Sequence, residues 1–225
     1  MKISTLIISA LALSGIAACG QSASTGSTSG SGEVAVAGTA LGDVFLGDAD
    51  APVTIIEYAS ITCSHCKAFH EEIFPSIQDR IDSGEVKFIF RDFPTPPVDI
   101  ALAGFAIARC SGEDTYFDVV DDFFTNQTNM IQAARTGTVE NFLKTVAARH
   151  GVDEAEYQAC TRDDVLYDSM LDIVDGGQTM GVTGTPTFFL NGTKMGREAQ
   201  DPAGLNAAID AALGIKPGSS SETEE

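Results

Sequence analysis

The hydrophobic pattern of the central chain predicts two buried strands joined by a helix. Residues 53–59 (VTIIEYA) and 86–90 (VKFIF) are short runs rich in β-branched or aromatic residues, as is typical of buried strands. Between them, apolar residues at four-residue spacing predict a helix from Cys63 to Asp82, which Pro75 should kink or break. A strand, a helix and a second strand of these lengths form a βαβ unit with a parallel strand pair.

The rest of the pattern places a long helical region before two further strands. Residues 98–181 show helical spacing throughout, with apolar residues on one face of most segments. Residues 188–190 then predict a strand, Asn191-Gly192 a hairpin turn, and Thr193 the start of the return strand. Asp201-Pro202 predicts the start of a last helix, and residues 41–50 ahead of the first buried strand predict a loop or edge strand.

Two cysteines lie where the first buried strand passes into its helix. Cys63 and Cys66 form a CxxC motif, which in this context indicates redox chemistry rather than a zinc knuckle. The order of the elements around the motif predicts an α/β protein with a thioredoxin-like fold and an inserted helical domain. The thioredoxin-like part comprises residues 41–97 and 182–214, and the helical insertion comprises residues 98–181.

The position of the motif predicts different roles for its two thiols. Unpaired backbone N–H groups and the helix dipole favour a thiolate at Cys63, which should be the attacking group. Cys66, one turn further on, is shielded and should resolve the mixed disulfide. His65 adds a donor or partial positive charge near the Cys63 sulfur. Since this stabilises the reduced form, it makes the disulfide a stronger oxidant.

Metal binding is the alternative for this region. Cys63, His65, Cys66 and His70 form a compact set of donors, but a structural zinc site usually needs a second pair of ligands after a spacer. The sequence offers no such pair, so we expect neither a metal nor a cofactor. His70 and His150 are expected to be ordinary surface or helix-end residues.

Two further features complete the predicted site. Thr185-Pro186 stands at the start of a strand, and beside a thiol pair we expect its peptide bond to be cis, which would expose the Thr185 backbone to an extended peptide. A trans proline at a strand start is the alternative. Glu57 lies on the first buried strand. If buried below the motif, its carboxyl would have a raised pKa and could pass the Cys66 proton; otherwise it would form a salt bridge at an edge.

The N-terminal residues indicate export. Residues 1–18 combine Lys2 with an apolar run too short for a comfortable transmembrane helix, which predicts a secretion signal. The run ends in IAAC, and small residues before a cysteine resemble the lipobox of bacterial lipoproteins. The resemblance implies cleavage before Cys19 and lipid attachment to its sulfur, while a plain signal with a chance cysteine is the alternative.

The residues that flank the predicted domain are low in complexity. Residues 19–40 are rich in Ser, Thr, Gly and Ala and predict a flexible tether to a membrane. The lipobox resemblance also implies that Gly20 after the cysteine favours sorting to the outer membrane, so we expect a periplasmic, lipid-anchored protein. Residues 215–225 predict a disordered tail. The net charge of -19 repels nucleic acid, which we exclude as a partner.

Cys110 and Cys160 remain, and both fall in the predicted helical insertion. In an exported protein they most simply form a structural disulfide. Two free buried thiols are the alternative.

The chain resembles the DsbA family of bacterial thiol–disulfide oxidoreductases over residues 41–213. The matching pieces are LGDADAPVTIIEYASITCSHC, VKFIFRDFP, the long helical segment and GVTGTPTFFLNG. The resemblance implies that Cys63 is the nucleophile, Cys66 its partner and Glu57 the buried acid, with Thr185 before a cis-proline at Pro186. Some members carry a second disulfide in the helical domain, which Cys110 and Cys160 could match.

The resemblance also implies a function. We expect an oxidase that donates its disulfide to unfolded or reduced exported proteins and is re-oxidised by a DsbB-like membrane protein. A reductase or isomerase of the cell envelope is an alternative, although isomerases of this fold usually add an N-terminal dimerisation domain. A non-catalytic lipoprotein that binds metal through its Cys and His residues is a second alternative.

Overall fold

The computed structural model describes residue 39 and residues 41–215. The predicted signal peptide, Cys19, nearly all of the predicted tether and residues 216–225 of the predicted tail lie outside the described residues. Within the part described, none of the helices combines the length and the apolar character that crossing a bilayer requires.

The centre of the fold is a five-stranded sheet in the order β1-β3-β2-β4-β5. The strands are β1 (Val44–Leu46), β2 (Val53–Ala59), β3 (Val86–Asp92), β4 (Thr187–Leu190) and β5 (Thr193–Lys194). β2 and β3 are parallel, and the other neighbouring strands are antiparallel. The central pair is covered on both faces, which explains the apolar runs Ile55-Ile56 and Phe88-Ile89-Phe90 at the strand centres.

The helices flank this sheet and account for most of the chain between β3 and β4. They are α1 (Ser64–Glu72), α2 (Gln78–Asp82), α3 (Val98–Cys110), α4 (Glu113–Thr125), α5 (Gln127–Arg135), α6 (Val139–Arg149), α7 (Glu154–Cys160), α8 (Asp164–Thr179) and α9 (Pro202–Ala212). The break expected at Pro75 is a 3-10 turn, Phe74–Ile77, between α1 and α2. The thioredoxin-like α/β fold predicted from the sequence is confirmed.

Each face of the sheet carries its own apolar cluster. On one face, Phe88 and Phe90 of β3 pack in a single cluster with residues of α1, α3 and α4, such as Phe69, Phe105 and Phe123. The helices between β3 and β4 therefore share a core with the sheet. The other face, which α8 covers, holds a smaller cluster formed by Ile56, Tyr58, Ile89, Phe93, Ile173, Val182 and Phe189.

Two adjacent glycines of α8 test this packing. A Cβ on Gly177 would lie 2.7 Å from Tyr58 Cε1, whereas a Cβ on Gly176 meets nothing within 4 Å. Tyr58 is buried and accepts a hydrogen bond from Arg91 (2.8 Å), so it has little room to move. We expect Gly177→Ala to lower the free energy of unfolding by about 1–3 kcal/mol.

The neighbouring substitution is the matched control. Gly176→Ala should raise the free energy of unfolding by about 0.5–1 kcal/mol, because alanine loses less backbone entropy in a helix. Urea unfolding of both variants measures the difference. Shifts of the same sign would show that α8 does not pack on Tyr58 as described.

Candidate active site

The two thiols lie at the junction of β2 and α1. Cys63 is the N-cap residue of α1, and its carbonyl accepts the first helical hydrogen bond, from Lys67 N (3.1 Å). Both cysteines are free thiols; Cys63 is half-buried and Cys66 is buried. The arrangement leaves Cys63 at the surface end of the helix and Cys66 one turn inside.

A buried glutamine from the helical region supports the motif. Gln127, the first residue of α5, donates its side-chain amide to the carbonyls of Ile61 (2.8 Å) and Cys63 (3.0 Å). These carbonyls lie in the turn before α1, where no strand partner satisfies them. Gln127 was not predicted as a site residue, since a single polar residue at the start of a helix carries no pattern.

Residues 60–62 are also held by the loop that follows β3. The Thr62 hydroxyl donates to the Thr95 carbonyl (2.8 Å), and Ser60 Oγ accepts from Thr95 N (3.1 Å). The loop contains a second cis peptide bond, Pro96-Pro97. The turn that presents Cys63 is thus fixed from two sides.

The pKa of the Cys63 thiol is lowered to about 5 from an ordinary value of 9.0. The largest cause is a hydrogen bond from the Cys66 thiol; backbone N–H groups of Cys66 and His65 add to it, and partial burial opposes it. His65 was predicted to add a donor or a partial positive charge near the Cys63 sulfur. The donor in the structure is its backbone N–H, while the residue itself is exposed.

This pKa gives a direct prediction. In the reduced protein, the ultraviolet absorbance of the Cys63 thiolate should titrate with a midpoint near pH 5. Because the folded pKa is below the unfolded value, the thiolate stabilises the fold fully above pH 9 and this stabilisation is lost as the pH falls through 5. Cys66→Ala removes the main hydrogen bond, so the midpoint should rise in that variant.

The control for the titration is Cys63→Ser, in which this transition should disappear. A wild-type midpoint close to 9.0 would contradict the geometry described for the thiolate.

The Cys66 thiol has the opposite character. Burial raises its pKa well above the ordinary value, and the neighbouring Cys63 and the charge of Glu57 raise it further. Cys66 is therefore protonated at neutral pH. It can react only if a nearby group takes its proton.

Glu57 is fully buried in the centre of the sheet, where its register partners are Phe90 on β3 and Phe188 on β4. Burial raises the pKa of its carboxyl, and His70 opposes this effect. Oε2 lies 2.8 Å from His70 Nε2, while Oε1 is buried without a hydrogen-bond partner. Of the two positions considered for Glu57, the structure places it in the core.

His70 lies in the last turn of α1, as the expectation of a surface or helix-end residue allowed, but its side chain is not at the surface. Its side chain is 4% exposed and stacks on Phe124 (4.4 Å between ring centroids) and Phe74 (5.3 Å). His70 follows Cys66 by four residues in the same helix, and residues at this spacing share a face. That spacing was a signal in the sequence that could have placed His70 beside the site.

The loop before β4 faces the thiols. The Thr185-Pro186 peptide bond is cis, and the Cys63 thiol donates to the Thr185 carbonyl (3.4 Å). A surface cavity of about 400 Å³ lies beside this contact, lined in part by His65, Phe69 and Ile73. Its mixed apolar and polar lining, which includes Thr185 and Pro186, suits an extended peptide chain.

Cys110 and Cys160 form a disulfide between the ends of α3 and α7. Across residues 41–215, no group of three or more His, Cys, Asp or Glu side chains is arranged to hold a metal ion. His70 Nε2, one of the donors considered for a metal, contacts Glu57 instead.

This fold and its dithiol site define the class of DsbA-like thiol–disulfide oxidoreductases. The family model described as Thioredoxin matches residues 39–211, and the chain belongs to the thioredoxin family, with DsbA-type proteins among its relatives.

Relatives with known names agree on this class. The chain is 27% identical to alpha-DsbA1 of Wolbachia pipientis, whose crystal structure superposes with a TM-score of 0.69 over 76% of this chain and 91% of that protein. It is 29% identical over 160 residues to disulfide bond formation protein D of Bacillus subtilis, covering 67% of this chain and 68% of that protein. A Rickettsia bellii protein whose name includes "protein-disulfide oxidoreductase" is 28% identical over 178 residues. The match spans 76% of this chain and 64% of that protein's length.

Proposed function

We propose that this chain catalyses thiol–disulfide exchange in the bacterial cell envelope, donating a Cys63–Cys66 disulfide to exported proteins. The observation that carries the proposal is the lowered pKa of Cys63, held down by the Cys66 thiol and by backbone N–H groups. A thiolate stabilised in the reduced protein raises the reduction potential of the pair, because it lowers the free energy of the dithiol form.

The exchange follows from the positions of the two sulfurs. A substrate thiolate attacks Cys63 Sγ, the Cys63–Cys66 bond breaks, and Cys66 leaves as a thiolate that takes up a proton. A second substrate thiolate then attacks the substrate sulfur of the mixed disulfide and releases Cys63 as a thiolate. The substrate loses two electrons to the protein dithiol, and a low pKa makes Cys63 a good leaving group in the second step.

In this scheme, Glu57 donates a proton to Cys66 or accepts one from it. Its buried carboxyl has a raised pKa, and its charge acts on Cys66. When Cys66 leaves as a thiolate, the protonated Glu57 carboxyl supplies the proton; when Cys66 attacks during re-oxidation, the carboxylate receives it.

The substrate lies along the cis-proline loop. Since the Thr185 carbonyl faces Cys63, an extended chain can hydrogen-bond to this backbone while its cysteine reaches the thiol. Such a contact does not depend on the substrate's sequence. It suits unfolded or reduced exported proteins as a substrate class.

The cellular context of the proposal comes from residues outside the described structure and from the family. A signal peptide over residues 1–18 and a lipid on Cys19 would hold the domain on a periplasmic membrane surface, with the outer membrane favoured by Gly20. A DsbB-like membrane protein would re-oxidise the dithiol. Mass spectrometry of the mature N-terminus tests the anchor, and an unmodified Cys19 would remove it from the proposal.

The reduction potential of the Cys63–Cys66 pair tests the direction of electron flow. We expect a value above about −200 mV, in the range of oxidising proteins, together with oxidation of a reduced dithiol peptide by the disulfide form. A potential near that of cytosolic thioredoxin, about −270 mV, would assign a reductase instead. A protein with neither activity would overturn the proposed function.

A further inference from the structure

A buried imidazole connects the Glu57 carboxyl to the surface of the protein. On one side, His70 Nε2 lies 2.8 Å from Glu57 Oε2. On the other, His70 Nδ1 has no hydrogen-bond partner and lies 4.0 Å from Asp121 Oδ1. The Asp121 side chain is 63% exposed. The two nitrogens of one ring therefore face the buried acid and an exposed one.

The surroundings of His70 leave the Nδ1 side of its ring as a route to solvent. Phe74 and Phe124 cover the two faces of the ring. An open cavity of about 340 Å³ lies beside the ring and is lined in part by His70, Asp121 and the two phenylalanines. Glu57 itself has no exposed surface. A proton that reaches Glu57 from Cys66 needs a neighbouring group to leave the core.

We propose that His70 is the proton-relay residue of this site, carrying protons between Glu57 and solvent on the Asp121 side. The inference rests on the proposed exchange at Cys63 and Cys66 and adds its proton path. His70 touches neither sulfur nor substrate in this role; it acts through Glu57.

The relay balances in both directions of the exchange. When Cys66 is about to attack, its thiol proton passes to the Glu57 carboxylate, then from Glu57 Oε2 to His70 Nε2, while Nδ1 releases a proton on the Asp121 side. When Cys66 leaves as a thiolate, each transfer runs backwards. The imidazole changes tautomer and ends neutral, and no electrons move along this path.

The charged groups that face His70 come from three elements. Glu57 approaches from β2 and Asp121 from α4. Partial burial raises the pKa of the Asp121 carboxyl, His70 opposes this effect and Asp118 adds to it. On α1 itself, Lys67 pairs with Glu71 and donates to the Phe124 carbonyl (2.8 Å). The Asp121 carboxylate is therefore the acidic group on the Nδ1 side of the ring.

The experiment must distinguish two roles of His70: a relay that passes protons, and a structural residue that only holds Glu57 in place. His70→Gln keeps an amide N–H for Glu57 but cannot pass a proton through the side chain. His70→Ala opens the ring site next to the cavity, where added imidazole can bind. A structural role predicts that glutamine preserves the rate and that imidazole has no effect; a relay predicts the reverse in both cases.

The measurement is the reaction of the reduced protein with oxidised glutathione, quenched with acid and followed by mass spectrometry. In the first step, the Cys63 thiolate forms a mixed disulfide with glutathione; in the second, Cys66 displaces glutathione and closes the Cys63–Cys66 bond. We expect His70→Gln to slow the second step by about tenfold or more and to leave the first unchanged. Imidazole should restore the second step in His70→Ala.

A charge-matched pair of variants tests the exit side. Asp121→Asn should slow the second step, whereas Asp118→Asn, one turn away and exposed on the same helix, should not. A wild-type second step in His70→Gln, a slow His70→Ala that imidazole does not restore, or equal rates in the two aspartate variants would each overturn the relay.

The same assay separates the relay from the proposed function. Oxidised glutathione drives the dithiol to the disulfide whatever the electron flow in the cell. If the pair proves too reducing for an oxidase, the proposed function fails while the second step still reports on His70. If the potential is oxidising but His70→Gln closes the disulfide at the wild-type rate, only the relay fails.

Discussion

Replacing Cys63 by serine is expected to abolish disulfide exchange, with a rate loss of about a thousandfold or more, as for other essential nucleophiles. The reason lies in ionisation. The pKa of the Cys63 thiol is about 5, so this group is a thiolate at neutral pH. A serine hydroxyl in the same place stays protonated and cannot form a disulfide. Oxidation of a reduced dithiol peptide measures the loss.

Cys66→Ser is the matched variant, since it removes one sulfur but keeps the half-buried thiol at position 63. It should react with a disulfide-bonded peptide and then stop, because no second thiol can displace the peptide. The covalent adduct should accumulate on Cys63 and be visible by mass spectrometry. Exchange activity in Cys63→Ser, or an adduct on Cys66 in that variant, would show that the nucleophile is misassigned.

The site could be predicted as far as its residues carry local signals. A CxxC after an apolar run and before a helical pattern, and an X-Pro at the start of a strand, are signals that need only neighbouring residues. The structure brings these distant segments together, with Cys63 facing the Thr185 carbonyl. The parallel pairing of β2 with β3 was equally accessible, because two mostly apolar runs joined by a helical stretch are typical of a βαβ unit.

The residues that the sequence did not yield are polar groups whose roles depend on tertiary contacts. Gln127 holds the turn before Cys63 through two carbonyls, and nothing in its own helix indicates that its side chain is buried. His65 was predicted to supply a donor or a partial positive charge near the thiol, and its backbone N–H makes the contact. A side chain at a helix end can point toward the site or toward solvent, and the residue type alone does not determine which.

The long helical region is part of the site as well as of the core. α4 and α5 supply Phe124 against His70, Asp121 beside its free nitrogen, and Gln127 below Cys63. A thioredoxin-like sheet alone would provide the dithiol, Glu57 and the cis-proline. The helices close over the buried acid, and so they determine both its raised pKa and the direction in which its proton can leave.

Removing the second disulfide should have the largest effect on stability. Cys110 and Cys160 are 50 residues apart, so the bond constrains a long loop in the unfolded chain. In the chain-entropy model this contributes about 4 kcal/mol, against a typical total of about 5–15 kcal/mol for a domain. Moreover, α7 buries only Tyr157 and Cys160. Few apolar contacts therefore hold α7 in place once the disulfide is removed. We expect Cys110→Ala/Cys160→Ala to lower the free energy of unfolding by about this amount.

The measurement is urea unfolding with Cys63 and Cys66 both changed to serine, so that no free thiol can exchange with the bond. In this background, reduction of the Cys110–Cys160 bond should destabilise the parent protein and leave the alanine double variant unchanged. Amide exchange should rise first in α7, whose end the bond ties to α3. A loss below about 1 kcal/mol would mean that the unfolded chain is already compact around these residues, since the entropic contribution depends on a long, open loop.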